Sequence, residues 1–143
     1  NETEIWPKWS SLTNIFKLRL AEWLILSNDV KLLKAYNKSI MTLMISQEIT
    51  ITYKHDQFDT SFEIFHAWAL FLLDKEEEAI RVIESVDLAK LSIHEERTIS
   101  IYYYALTSRL YSGDKSTSSI KYLDLLTDQT KYHGLRTMLN LIN

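Results

Sequence analysis

Glu63 and His66 have the residue types and the spacing of a metal-ligand pair. Residues three apart on a helix project from one face, and a Glu-x-x-His motif supplies ligands in di-iron carboxylate bundles. That chemistry needs the motif twice, with glutamates from two further helices, whereas the sequence contains it once. His55, His94 and His133 show no His-x-x-x-His spacing. We therefore expect neither a metal ion nor a cofactor.

Nucleophilic catalysis and nucleotide hydrolysis have no signature in the sequence. There is no cysteine and no G-x-S-x-G elbow, and the hydroxyl-rich run 116–119 follows Gly113, where such side chains cap helices and turns. Gly113 and Gly134 stand too far apart to form a phosphate-binding loop. The sequence therefore predicts a protein that is not an enzyme.

Length and charge narrow the class of protein. A chain of 143 residues suits a single domain, and its net charge of −3 provides no field for a polyanion, so we expect no direct nucleic-acid contact. No apolar run approaches the ~20 residues that span a bilayer, so we expect no membrane contact. The lack of cysteine is compatible with the cytoplasm, where we place the domain. Because the first residue is Asn1 rather than methionine, we expect a fragment of a larger protein.

Acidic residues are concentrated in the middle of the chain. Residues 74–97 contain eight acidic and four basic side chains, whereas the first 54 residues contain five acidic and seven basic ones. We interpret the acidic stretch as a solvated helix face with intrahelical pairs such as Glu77–Arg81. The alternative is a surface that receives a basic partner.

Two stretches, 67–86 and 105–125, share a pattern of helix, polar turn and second helix. With two glycines and one proline, the chain has few sites for the turns of strand-rich folds. We predict an all-α fold of about seven helices that form stacked antiparallel hairpins. In the second helices, the residues predicted to share a face are Ala79, Ile83 and Val86 in the first hairpin and Ser118, Tyr122 and Leu125 in the second. Ile120, Leu123 and Leu126 form a second predicted apolar stripe on the latter helix.

Several side chains are suited to begin or end these helices. The predicted helix starts are Asp29, the capping boxes Thr60 with Glu63 and Ser92 with Glu95, Asp74, and either Asp128 or Thr130. Gly113 is predicted to end a helix in the left-handed conformation. The first helix is predicted from about Trp9 to Ser27, with an apolar stripe of Leu12, Phe16, Leu20 and Trp23 that is widened by Ile15, Leu18 and Ile25.

The chain divides into a helical pair over residues 1–56 and hairpins over residues 57–143. Residues 47–56 stay open between helix and extended linker, because 49–53 alternate with period two and are rich in β-branched side chains.

A stack of hairpins exposes a groove lined by the first helix of each pair. Aromatic rings in such a groove can pack on a peptide while hydroxyls and amides bond its backbone. Any one aromatic residue at helical spacing is more often a core residue, so the prediction concerns the surface as a whole. The candidate partner-binding residues are Asn14, Trp23, His66, Tyr102, Tyr104, Ser108 and Tyr111.

Two stretches resemble tetratricopeptide repeats: 67–70 (Ala-Trp-Ala-Leu) with Ala79 and Ile83, and 102–106 (Tyr-Tyr-Tyr-Ala-Leu) with Tyr122. The resemblance implies a right-handed superhelix that binds a peptide or a protein. Asp74 stands where a small residue is usual, the closing proline is missing, and the units lie ~39 residues apart rather than ~34.

The tyrosine-rich helices also resemble the carboxyl-terminal regions of Rgg- and PlcR-type peptide-sensing transcriptional regulators of low-GC Gram-positive bacteria. That resemblance implies a dimer that binds a short signalling peptide, while a separate amino-terminal domain contacts DNA.

We interpret the chain as a non-enzymatic domain that binds a peptide or a protein. One alternative is a compact helical bundle with a metal or small-molecule site, for which Glu63 and His66 are the ligands that can be named. The other is a structural domain whose apolar surface, including Trp6 and Trp9, docks onto the rest of its own chain.

Overall fold

The computed structural model describes residues 14–35, 59–91 and 96–142. Of these residues 84% are helical, and none of them lies in a strand. The helices are α1 (Asn14–Ser27), α2 (Asp59–Leu72), α3 (Glu76–Glu84), α4 (Glu96–Leu110), α5 (Asp114–Leu126) and α6 (His133–Leu141), with 3₁₀ turns at Leu88–Lys90 and Thr130–Tyr132. Residues 30–35 are helical as well, so the predicted all-α class with about seven helices is confirmed. No described helix is long and apolar enough to cross a bilayer.

The two predicted hairpins are present, and their first helices contact one another. α2 packs on α3, and α4 packs on α5; a short turn joins each pair, so the partners run antiparallel. α2 also packs on α1 and α4, while α4 packs on α3 and α6. Among the described helices, α2 and α4 therefore occupy the centre.

The core lies between α2 and α4. Trp68 and Phe65 of α2 and Tyr102 of α4 have no solvent exposure. The rings of Phe65 and Tyr102 meet edge-on with their centroids 4.9 Å apart, and Trp68 Nε1 donates a hydrogen bond of 2.8 Å to the backbone carbonyl of Tyr102. Burial raises the pKa of the Tyr102 hydroxyl far above its usual value, and the Glu22 carboxylate of α1 raises it further. Trp68 thus joins the first helices of the two hairpins.

The predicted break and cap at Asn28 and Asp29 are confirmed. Asn28 ends α1 with a positive φ of 54°, a conformation that asparagine tolerates better than most residues. Asp29 Oδ1 then accepts hydrogen bonds from the amides of Lys31 (3.1 Å) and Leu32 (3.2 Å). These bonds satisfy donors in the first turn of the helical residues 30–35, as an N-cap does.

Asp74 ends a helix instead of capping the next one, so that prediction is wrong. Its φ is 61°, and its amide donates to the Phe71 carbonyl at 3.1 Å, while the Lys75 amide donates to the Leu70 carbonyl at 2.9 Å. This pair of bonds is a Schellman motif, which satisfies the last carbonyls of α2. The N-cap of α3 is Lys75, without a side-chain hydrogen bond, and the acidic residues 76–78 occupy the first turn.

Gly113 has the positive φ that its prediction required, but it precedes α5 rather than capping α4. Its φ of 66° and ψ of −136° define the N-cap of α5. α2 begins at Asp59, so Thr60 lies inside the helix and is not its cap. Thr130 opens a 3₁₀ turn, and α6 begins three residues later at His133. The Ser92–Glu95 box, residues 36–58 and the part of the first helix before Asn14 lie outside the described residues.

The buried faces of α5 and α1 match the predicted ones only in part. On α5, the predicted Leu123 is buried together with Ser119, whereas Ile120, Tyr122 and Leu125 are 43%, 52% and 67% exposed. On α1, Leu18 and Ile25 of the predicted face are buried together with Ala21 and Leu24, whereas Phe16 and Trp23 are 57% and 49% exposed.

Two arginines secure the C-terminal end of α5. Arg97 Nε donates to the Leu126 carbonyl at 3.2 Å, and its Nη2 lies 3.4 Å from the Leu125 carbonyl and 3.3 Å from Asp128 Oδ1. Arg136 of α6 pairs with Asp124. Cations are favourable at a helix C-terminus, where carbonyls lack intrahelical donors. The two side chains therefore fix α5 relative to α4 and α6.

Candidate functional site

An open groove of about 430 Å³ lies between α3, α4 and α5. We call it the tyrosine groove. Its lining consists of Ile83, Glu84 and Val86 from α3 and the residues after it, Tyr103, Tyr104, Thr107 and Tyr111 from α4 and its end, and Asp114, Lys115, Ser118 and Ser119 from α5.

Helical spacing on α4 explains why tyrosines line this groove. Tyr103, Thr107 and Tyr111 follow one another at intervals of four, and Tyr104 is seven before Tyr111, so all four lie on neighbouring rows of one face. The opposite face of α4 carries Tyr102, which is buried against α2. One run of three consecutive tyrosines therefore serves both the core and the groove.

Packing between rings holds the groove tyrosines in place. The rings of Tyr103 and Tyr104 meet edge-on at 5.0 Å, and Tyr104 stacks on Tyr122 of α5 at 4.9 Å with an interplanar angle of 20°. Lys115 Nζ lies 4.7 Å from the ring centroid of Tyr111. These distances are within the range of aromatic pairs and cation–π contacts. The groove thus presents rings whose orientations are set before any ligand arrives.

The groove tyrosines stay protonated at neutral pH. Burial raises the pKa of Tyr103, and it raises the pKa of Tyr104 and Tyr111 as well, each with a further contribution from Tyr103. For Tyr111, Glu84 also raises the pKa, both by its charge and by a hydrogen bond to the hydroxyl. Neutral hydroxyls can donate and accept hydrogen bonds, which is what a peptide backbone requires.

The floor of the groove is formed by small hydroxyl residues. Thr107 Oγ1 and Ser119 Oγ are 2.8 Å apart and buried, so one of the two hydroxyls donates to the other. The accepting hydroxyl can donate in turn to a carbonyl of its own helix, that of Tyr104 for Thr107 or that of Lys115 for Ser119. Ser118, one residue earlier on α5, is exposed at the rim. Because these side chains are small, α4 and α5 leave space between the larger tyrosines.

Of the seven predicted partner-binding residues, Tyr104 and Tyr111 lie in the tyrosine groove. Tyr102 is fully buried and His66 is 7% exposed, so neither is available to a partner. Ser108 donates to the Ala105 carbonyl, and Trp23 is exposed on α1, away from the groove lining. The side chain of Asn14 is outside the described residues.

Sequence reasoning missed the contributions of the second helices. The groove was expected on the first helices alone, yet Glu84 comes from α3 and Ser118 from α5. Tyr103 and Thr107 could have been found, because with Tyr111 they form one row at intervals of four. The place of Glu84 depends on how α3 packs on α4, and periodicity within one helix carries no information on that.

The Glu63–His66 pair lies on the mostly buried helix α2. Burial lowers the pKa of His66, while Glu78 raises it and Lys75 lowers it. Among the residues that the structure describes, none forms a hydrogen bond with His66 Nδ1. Within residues 14–35, 59–91 and 96–142, no three His, Asp or Glu side chains converge as a metal site.

Comparison with known proteins returned no matching family model, no matching curated protein and no matching solved structure.

Proposed function

We propose that the chain is a non-enzymatic binding domain that holds an extended peptide or protein segment in the tyrosine groove. The observation that carries the proposal is the groove itself, an opening of about 430 Å³ with a tyrosine-rich wall. This volume falls within the ~300–1,000 Å³ typical of ligand sites. Because the groove is open to solvent, an extended chain can enter from the side and leave at the other end.

The lining of the groove suits both the side chains and the backbone of a peptide. The faces and edges of Tyr103, Tyr104 and Tyr111 offer apolar area for side chains, while their neutral hydroxyls offer hydrogen bonds to the peptide backbone. The stack of Tyr104 on Tyr122 fixes one ring in advance. Fixing a ring in advance lowers the entropy lost on binding.

The resemblance to peptide-sensing regulators extends this proposal to the parent protein. The groove then serves as the sensor site of a larger, dimeric regulator in the cytoplasm, and another segment contacts DNA. Binding of a peptide between α3, α4 and α5 would fix the angle between the two hairpins, because α3 belongs to the first hairpin and α4 and α5 form the second.

A pair of tryptophan substitutions on α5 tests the proposal. Ser118 lines the groove, whereas its neighbour Thr117 is exposed and does not. Ser118→Trp should therefore fill the groove, and Thr117→Trp adds the same ring outside it. A pool of capped random peptides of about nine residues, spanning ~30 Å when extended, is passed over the immobilised protein. Retained peptides are sequenced by mass spectrometry, resynthesised and titrated by calorimetry.

We expect the selected peptides to bind wild type and Thr117→Trp equally well, and Ser118→Trp at least about tenfold more weakly, a loss of ~1.4 kcal/mol. Circular dichroism and thermal unfolding establish that both variants fold. Failure of the wild type to retain any peptide would overturn the proposal. Equal binding by the two variants would also overturn it, because the peptide would then lie elsewhere.

A further inference from the structure

We infer that the tyrosine groove selects its peptide through one basic side chain, held against the tyrosine rings with its charged group near Glu84 and Asp114. The inference rests on the proposed function and names the chemistry of the partner. Three charged residues line the groove, and two of them, Glu84 and Asp114, are acidic. Lys115 is the third. The excess of carboxylates favours a cation over an anion at this site.

The groove already holds an ammonium group of its own. Lys115 reaches from the first turn of α5 to place Nζ 4.7 Å from the ring centroid of Tyr111. This contact shows that the ring face of Tyr111 is accessible to a cation from the solvent side. Lys115 is exposed, so an incoming guanidinium or ammonium can displace it into water at little cost.

Glu84 is positioned to accept the incoming charge. It lines the groove together with Tyr111, it lies at the C-terminal end of α3, and its charge raises the pKa of the Tyr111 hydroxyl after burial, the larger cause. An acidic side chain at a helix C-terminus is unfavourable in the dipole of its own helix. A basic ligand would neutralise that charge, whereas an acidic ligand would meet repulsion from both Glu84 and the helix end.

The long aliphatic stem of arginine or lysine suits the rest of the groove. Such side chains bury their methylene groups on apolar surface while the charged end stays close to water. Tyr103 and Tyr104 supply that surface, and Ile83 and Val86 on the α3 side extend it. The groove therefore combines an apolar channel with an acidic rim, which is the arrangement that a basic side chain fills best.

Three peptide pools test the inference. Each consists of capped peptides of about nine residues, randomised except for a central Arg, Gln or Glu, so that the pools differ in one charge. Fluorescence anisotropy measures the apparent Kd of each pool for the whole chain. We expect the Arg pool to bind about fivefold more tightly than the Gln pool, and the Glu pool to bind most weakly, as one partly exposed ion pair allows.

Two charge-neutralising variants of α3 locate the preference. Glu84→Gln removes a carboxylate from the groove, and Glu77→Gln removes the same charge from the same helix outside the groove. Glu84→Gln should abolish the preference for Arg over Gln, and Glu77→Gln should retain it. Lys115→Gln should increase the affinity for the Arg pool, because it removes a competing cation.

The outcomes separate this inference from the proposed function. If no pool binds the folded wild type, both are overturned. If all three pools bind equally, or the Glu pool binds best, this inference fails while peptide binding in the groove stands. If Glu84→Gln keeps the full preference for Arg, the basic side chain lies elsewhere, and the inference is again overturned.

Discussion

Trp68→Phe should destabilise the fold far more than its size suggests. Trp68 is fully buried on α2, and its indole N–H donates to the Tyr102 carbonyl at 2.8 Å. Its ring also packs edge-on against Phe71, and the Arg109 guanidinium lies 5.9 Å from its ring centroid. Phenylalanine retains an aromatic ring but lacks the donor that crosses from one hairpin to the other.

The magnitude follows from two contributions. The lost hydrogen bond costs about 0.5–1.5 kcal/mol, without a larger desolvation penalty, because the Tyr102 carbonyl lies within α4 and keeps its helical partner. The smaller ring leaves a void in a close-packed core, and this adds about 1 kcal/mol. We therefore expect the free energy of unfolding to fall by about 2 kcal/mol. For a domain of this size the melting temperature falls by roughly 4–8 °C.

Trp23→Phe is the matched control, since Trp23 is 49% exposed on α1. The same chemical change there should cost less than about 0.5 kcal/mol, as surface substitutions usually do. Urea denaturation followed by far-UV circular dichroism measures both variants, and equal m-values establish that the same surface unfolds. Equal stabilities of the two variants would refute the role of Trp68 as the link between α2 and α4.

Three further predictions concern a turn, a titrating group and a helix end. At either glycine, an added Cβ meets no atom of the described residues within 4 Å. Gly113→Ala should nevertheless cost about 1–3 kcal/mol in thermal unfolding because of the positive φ, whereas Gly134→Ala within α6 should stabilise by up to ~1 kcal/mol. Burial lowers the pKa of His66, so the unfolded chain takes up a proton at this residue below the ordinary pKa of 6.5. The free energy of unfolding should therefore fall as the pH drops from 7 towards 5, by at most ~1.4 kcal/mol per pH unit. His66→Gln should flatten this pH dependence, as measured by urea titrations. Arg97→Leu should cost about 1 kcal/mol in urea unfolding by leaving the last carbonyls of α5 without their donor, whereas Arg81→Leu on the exposed face of α3 should change little.

Local signals were sufficient to predict the two hairpins and the cap at Asp29. The turn at 74–75 and the break at Asn28 and Asp29 are each coded by residues that stand within a few positions of the hydrogen bonds they make. Asp74 was placed at the right turn with the wrong role. Aspartate both caps helices and tolerates positive φ, and the sequence does not show which property the turn will use.

The buried face of α5 follows from its own periodicity only in part. Two stripes compete on this helix, Ile120 with Leu123 and Leu126, and Ser118 with Tyr122 and Leu125, and neither contains Ser119. The structure buries Leu123 and Ser119, and the Ser119 hydroxyl lies 2.8 Å from that of Thr107, twelve residues earlier on α4, so that one of the two donates to the other. A buried polar pair is as compatible with a core as an apolar one, but it is recognised only when both helices are in place.

That polar pair also explains why a groove exists between α4 and α5. Had the face of α5 that meets α4 carried leucines in place of Ser118 and Ser119, their side chains would have filled the space beside Tyr104 and Tyr111. With serines there, the two helices approach through hydroxyls, and the large rings stand clear of the contact. Tyr122 then remains outside the core and stacks on Tyr104 instead. Ser118 and Ser119, which interrupt the apolar pattern of α5, therefore also keep the tyrosine groove open.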